Sequence, residues 1–155
     1  MRILAALISF GRFLFGVVFI AQPQVMERAW IGKQARLPGA QLLARAVGAR
    51  DLVLGIGGLQ AVGRDDGSAP PWMAAAAVCD AVDFGATWVA GRGIPRQART
   101  NVLAIAGVFS VLSALAAVGL ARRGQAEQLP SGAEDLTEAG VAPSEPIASA
   151  SPPQA

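Results

Sequence analysis

Residues 101–120 read NVLAIAGVFSVLSALAAVGL, a run from Asn101 to Leu120 without one charged side chain. An α-helix needs about 20 predominantly apolar residues to cross the hydrocarbon core of a bilayer. Each Leu, Ile, Phe or Val favours insertion by ~0.3–0.6 kcal/mol, and ten of the residues from Val102 to Leu120 are of these types. Nothing here alternates with the strict period of a membrane β-strand. The stretch predicts a transmembrane helix that inserts unaided.

Three further apolar segments precede it, which predicts helices over about 3–21, 40–62, 71–91 and 101–121. The breaks fall at Gln22-Pro23, at Pro38-Gly39, at the polar run Gly63-Arg64-Asp65-Asp66-Gly67, at Pro70-Pro71 and near Gly91. The expected architecture is all-α: an integral membrane four-helix transmembrane bundle (residues 1–121) with a disordered C-terminal tail (residues 122–155). Residues 124–155 hold five acidic residues, five prolines and no aromatic, too little apolar surface to offset chain entropy. Arg2 ahead of an apolar run imitates a signal peptide. Arg12 interrupts that run, and Phe19-Ile20-Ala21 lacks the small-residue cleavage pattern, so an uncleaved helix is expected.

Composition agrees. Of 155 residues 53% are hydrophobic and only 15% charged, with mean hydropathy +0.44, against roughly a quarter charged in a soluble domain. There is no His and one Cys, Cys79. Imidazole acid–base chemistry, His-ligated zinc and an intrachain disulfide are therefore excluded. Cys79, within an apolar helix, reads as an inert thiol. A formal charge of +2 is too small to suggest nucleic acid. Gly55, Gly57 and Gly58 follow no strand and precede no lysine, so they do not form a nucleotide loop. The chain supplies no metal ligand set and no cofactor motif, and reads as non-enzymatic.

An insertion tally ranks the segments. A central Arg or Asp opposes insertion by ~2.5–3.5 kcal/mol. Segment one sets twelve strongly apolar residues against Arg12 and should insert. Segment two carries Arg45, Arg50 and Asp51, and segment three carries Asp80 and Asp83. Both should be marginal alone and are expected to enter as a pair.

These intramembrane charges are the most informative feature: Arg12, Arg45 and Arg50 against Asp51, Asp80 and Asp83, three of each sign. In hydrocarbon such residues face the bundle interior and pair. Asp80 and Asp83 share a helix face with Thr87. Asp51 lies on a stripe with Gly48 and Gly55, small residues that let a partner helix approach. The simplest docking sets Arg50 and Asp51 near Asp80 and Asp83, with Arg12 closing the set; Arg45, near a helix end, is free to snorkel. A structural reading makes this polar glue fixing helix register, and the balanced count favours it. A functional reading makes the close carboxylates a proton relay or a polar headgroup pocket. Either way Arg12, Arg50, Asp51, Asp80 and Asp83 form the candidate site.

A second small-residue stripe, Ala106, Ser110, Ser113 and Ala117, suits helix packing within the bundle or in a homo-oligomer. Trp30, Trp72 and Trp88 fall near segment ends, where indoles anchor at the interface. Residues 25–30 suit a short interfacial helix. Loops one and three hold Arg28, Lys33, Arg36, Arg92, Arg96 and Arg99; the opposite side holds Arg2, Arg64, Arg122 and Arg123. Six against four favours cytoplasmic loops one and three, whose arginines suit anionic headgroups.

Arg12-Phe13-Leu14-Phe15-Gly16 with Phe19 resembles the opening helix of DoxX-like proteins, small four-helix bacterial membrane proteins. Gly48-Ala49-Arg50-Asp51 with Gly55 resembles a pattern in uncharacterised small bacterial membrane proteins of the same kind. The resemblance spans residues 1–121 and implies a bacterial inner membrane and, for some members, quinone-linked redox complexes. Three functions follow as expectations: a non-enzymatic accessory or structural membrane subunit, a small proton-coupled carrier using Asp80 and Asp83, and a quinone-associated redox subunit. The expected partners are the lipid bilayer and a homo-oligomer or larger membrane complex.

Overall fold

The computed structural model describes residues 1–24 and 36–128. Four long helices carry the fold: α1 (Arg2–Ala21), α2 (Pro38–Arg64), α3 (Ala69–Ala90) and α4 (Arg96–Gln128). There is no strand among the described residues. Three helices, α1, α3 with the turn after it, and α4, are long and apolar enough to cross a membrane. α2, which carries Arg45, Arg50, Asp51 and Arg64, is not among them.

Local chemistry sets the boundaries. α1 stops before Pro23, with the Gln22 N–H donating to the Val18 carbonyl at 2.7 Å, because proline cannot continue the ladder. α2 opens on Pro38, whose missing N–H costs nothing at a first helical position. It ends where Asp65 turns left-handed at φ 54°, a conformation that aspartate tolerates better than branched residues. The Asp66 carboxylate then accepts from the Ser68 N–H at 3.0 Å, leading into α3. Gly91, at φ 53°, breaks α3 where an L side chain would be strained.

α4 departs from the expected 101–121 at both ends. It begins at Arg96, directly after Pro95, whose carbonyl accepts from the Arg99 N–H at 2.9 Å. It continues through Arg122 and Arg123 to Gln128, seven residues into the expected tail. Arg, Gln and Ala are good helix formers, so the helix outlasts the apolar run. Its 33 residues span about 50 Å, longer than a hydrocarbon core of about 30 Å. The rest of that tail, 129–155, and the interfacial helix expected at 25–30 lie outside the described residues.

The helices run antiparallel in sequence order. Arg2 pairs with Asp65 and donates to the Val62 carbonyl at 2.9 Å, so α1 starts where α2 ends. A Cβ on Gly119 would meet Met1 Cγ at 2.7 Å, which brings the C-terminal half of α4 to the same end. Contact is most extensive between α1 and α2 and between α3 and α4; α2 touches α3 far less. Segments two and three, expected to enter as a pair, meet through the Arg50–Asp83 ion pair but have their largest contacts elsewhere. Each marginal helix packs against a strongly apolar one, which shields its charges better than a second charged helix does.

Glycine permits the first pairing. A Cβ on Gly16 would lie 2.6 Å from the Gly48 carbonyl oxygen and the Leu52 nitrogen, and one on Gly55 would lie 2.5 Å from the Phe13 nitrogen. The α1 and α2 backbones touch there, and no side chain fits between them. In the second hairpin, Ala106, Ser113 and Ala117 are buried, and the Ser110 hydroxyl donates to the Ala77 carbonyl at 3.0 Å. The α4 stripe thus packs within the bundle, Ser110 against α3 and Ala117 in a cluster with Ala5, Ile8 and Met73.

An apolar cluster of Ala5, Ile8, Met73, Ala116 and Ala117, with Leu4, Trp72 and Leu112 against it, closes the end where α1 starts. Trp72 lies over Gly57 and packs against this cluster. The outer surface is apolar: Ile3, Leu7, Val53, Val78, Val82, Val89 and Leu115 are all more than half exposed. Such a continuous apolar exterior suits lipid rather than water.

Candidate functional site

One ion-pair chain links the two hairpins near the middle of the helices. Arg12 on α1 donates through one terminal nitrogen to Asp51 Oδ1 on α2 at 2.7 Å. Its other terminal nitrogen pairs with Asp80 on α3 and donates to the Ala76 carbonyl at 3.2 Å. Arg50 on α2 grips Asp83 in a two-pronged contact at 3.0 and 2.8 Å. The same Arg50 reaches Asp51 Oδ1 at 3.3 Å. The order is Asp80, Arg12, Asp51, Arg50, Asp83, with signs alternating along it.

Spacing on each helix explains why these five meet. Asp80 and Asp83 are three residues apart on α3 and so share one face, which is turned toward the first hairpin. Arg50 and Asp51 are adjacent on α2 and point differently. Asp51 is 4% exposed, facing α1, and Arg50 is half-buried, facing α3. Arg12 is 6% exposed and lies between both. The planar guanidinium fork suits two carboxylates at once, which a point-charge ammonium does not.

Arg45 does not join. It is exposed near the start of α2 and pairs with no carboxylate among the described residues. The balanced count of three against three is therefore corrected: the ion-pair set contains three carboxylates and two guanidiniums, a formal charge of −1 for those five side chains. Thr87 is also outside it, since its hydroxyl donates to the Asp83 backbone carbonyl at 2.7 Å. Cys79 is free and half-buried.

A cavity of about 190 Å³ lies against this chain, lined by all four helices. Arg12, Asp51, Asp80 and Asp83 form its polar side, and Phe15, Val47, Val102, Ile105 and Phe109 its apolar walls. These wall residues run from the charges toward the end carrying loops one and three. The apolar cluster around Ile8 and Met73 lies on the other side of the charges. The charge chain thus sits between a cavity and an apolar cluster. Arg12 keeps a buried Nε–H without an acceptor, as do the buried hydroxyls of Ser9 and Ser113. Among the described residues no grouping of Cys, Asp or Glu is arranged to hold a metal ion.

Two contacts were not anticipated from the sequence. Arg2 with Asp65 ties the first hairpin at its open end. Ser9, packed against Gly58, carries a fully buried hydroxyl one turn before Arg12; its position three residues ahead of Arg12 was the available signal. Trp30 lies outside the described residues. Comparison with protein-family models, curated proteins and solved structures finds no match.

Proposed function

We propose that this chain is a small multi-pass membrane protein, four helices spanning a bacterial inner membrane, whose central charge chain binds and transfers a proton. The observation that carries the reading is the unequal count: three carboxylates against two guanidiniums, mostly buried, beside a cavity. An uncompensated charge in hydrocarbon is costly. One added positive charge makes the site neutral, and a proton is the smallest that fits among carboxylates already held by arginines. This is the proton-coupled carrier alternative, with Asp80 and Asp83 as the carboxylates that line the cavity from α3. The structural-subunit reading rested on a balanced network, and Arg45 no longer balances it. The quinone-linked reading rests on the DoxX-like resemblance alone.

The cavity side and the sealed side make the arrangement one-sided. A carrier in such a state exchanges protons with the face bearing loops one and three, and the apolar cluster separates it from the other face. Opening the opposite face requires the hairpins to part at the ion-pair seam between them.

Proteoliposomes holding a pH-sensitive dye test this, with a potassium gradient and valinomycin supplying the driving force. Wild-type protein is expected to acidify or alkalinise the lumen faster than empty vesicles, and Asp83→Asn to abolish the difference while eluting and melting as a folded protein. Wild-type flux equal to that of empty vesicles would overturn the reading. So would undiminished flux in Asp80→Asn and Asp83→Asn together.

A further inference from the structure

Where α3 hands over to α4, a second concave surface is unused by the charge chain. It is a groove of about 540 Å³ lined by Phe84 and Trp88 from α3 and by Arg96, Arg99, Thr100, Leu103 and Ala104 from α4. Arg96, Arg99 and Thr100 are three and four residues apart and so lie on one face of the first turns of α4. Leu103 and Ala104 continue that face one turn deeper. On the other wall Phe84 lies one turn deeper than Trp88, with ring centroids 6.4 Å apart and planes 14° apart. The groove is therefore graded, with cations at its mouth and apolar side chains at its floor.

The charges at the mouth are uncompensated. No carboxylate lines the groove, and neither arginine pairs with one among the described residues. Arg99 instead lies 5.8 Å from the Trp88 ring centroid, a cation–π contact that holds the guanidinium plane in place while leaving its N–H groups for a ligand. Thr100 spends its hydroxyl hydrogen on the Arg96 carbonyl at 3.0 Å, so the donors here are guanidinium groups and the matching ligand is an anion. Arg92 adds a positive charge in the intervening turn. Trp88, 61% exposed, is at a helix end, the depth where indoles sit among headgroups.

We infer that this groove is a binding site for one anionic phospholipid, its phosphate held by Arg96 and Arg99 and its acyl chain lying over Phe84, Leu103 and Ala104. Guanidinium forks match phosphate oxygens two at a time. The apolar floor selects a lipid over a free phosphate, because a hydrophilic anion gains nothing below the arginines. The inference rests on the membrane-spanning part of the proposed function and is independent of proton transfer.

Native mass spectrometry of the delipidated protein, titrated with phosphatidylglycerol and phosphatidylcholine of identical chains, tests it. One phosphatidylglycerol should bind in preference by roughly thirtyfold, two arginines contributing roughly 1 kcal/mol each near an anionic surface. Arg96→Gln with Arg99→Gln should erase the preference, whereas Arg122→Gln with Arg123→Gln should keep it. Proton flux should be unchanged in both, which separates failure here from failure of the proposed function. Equal binding of the two lipids by wild type, or a preference surviving in the Arg96/Arg99 variant, would overturn the site. Displacement of phosphatidylglycerol by millimolar inorganic phosphate would assign it to a free anion and overturn the lipid.

Discussion

Arg12 holds two carboxylates on two other helices, and its loss is not equivalent to theirs. Arg12→Gln leaves three aspartates with one guanidinium, a net charge of −2 in a buried seam. Its expected cost is about 3–5 kcal/mol, as for a broken buried ion pair. Asp80→Asn instead brings the chain to two of each sign, and the new amide oxygen still accepts from Arg12. Its expected cost is about 0.5–1.5 kcal/mol, a hydrogen bond's worth. Thermal unfolding in mild detergent measures both; equal losses would remove the argument from unequal charge. Ser9 makes a second case. Its buried hydroxyl has no acceptor, so Ser9→Ala should leave stability unchanged or raise it by up to about 1 kcal/mol, read as an equal or higher melting temperature. A clear fall would mean that the hydroxyl has a partner in the membrane.

Helix packing gives two predictions of opposite sign for one chemical change. Gly55 meets backbone of α1, so Gly55→Ala must push the helices apart and is expected to cost at least about 1–3 kcal/mol. Gly85 on α3 has nothing within 4 Å of its added Cβ, so Gly85→Ala should stabilise by roughly 0.5–1 kcal/mol through helix propensity. The same melting series compares them, and similar shifts would contradict the close α1–α2 approach. Insertion differs by element too. α2 carries its charges into the seam and should fail to insert alone, yet insert when α1 precedes it. A translocon assay on α2 with and without α1 reads this directly, and efficient insertion of isolated α2 would show that its charges need no neighbour.

At the scale of the molecule, two hairpins meet along a charged seam with a cavity on one side and an apolar cluster on the other. Asp66 and Gln97 lie at opposite ends of α3, so cysteines placed there in a Cys79→Ser background should label from opposite sides of a membrane. Labelling from one side would show that α3 does not cross.

Helix positions were largely legible, because an uninterrupted apolar run such as 102–120 and the stops at Pro23, Pro38 and Gly91 act locally. Where α4 begins and ends was not, since Arg96–Thr100 and Ala121–Gln128 are polar, and a helix already nucleated extends through such residues at little cost. The membership of Arg12, Arg50, Asp51, Asp80 and Asp83 in one buried set could be read from the expense of charge in hydrocarbon. Their order could not, because facing residues on different helices have no sequence signal. The partners chosen by α2 and α3, the exclusion of Arg45 and hence the sign of the seam were decided only by tertiary packing. Glycine at positions 16, 48 and 55 lets the α1 and α2 backbones touch, and that contact places Arg12 beside Asp51.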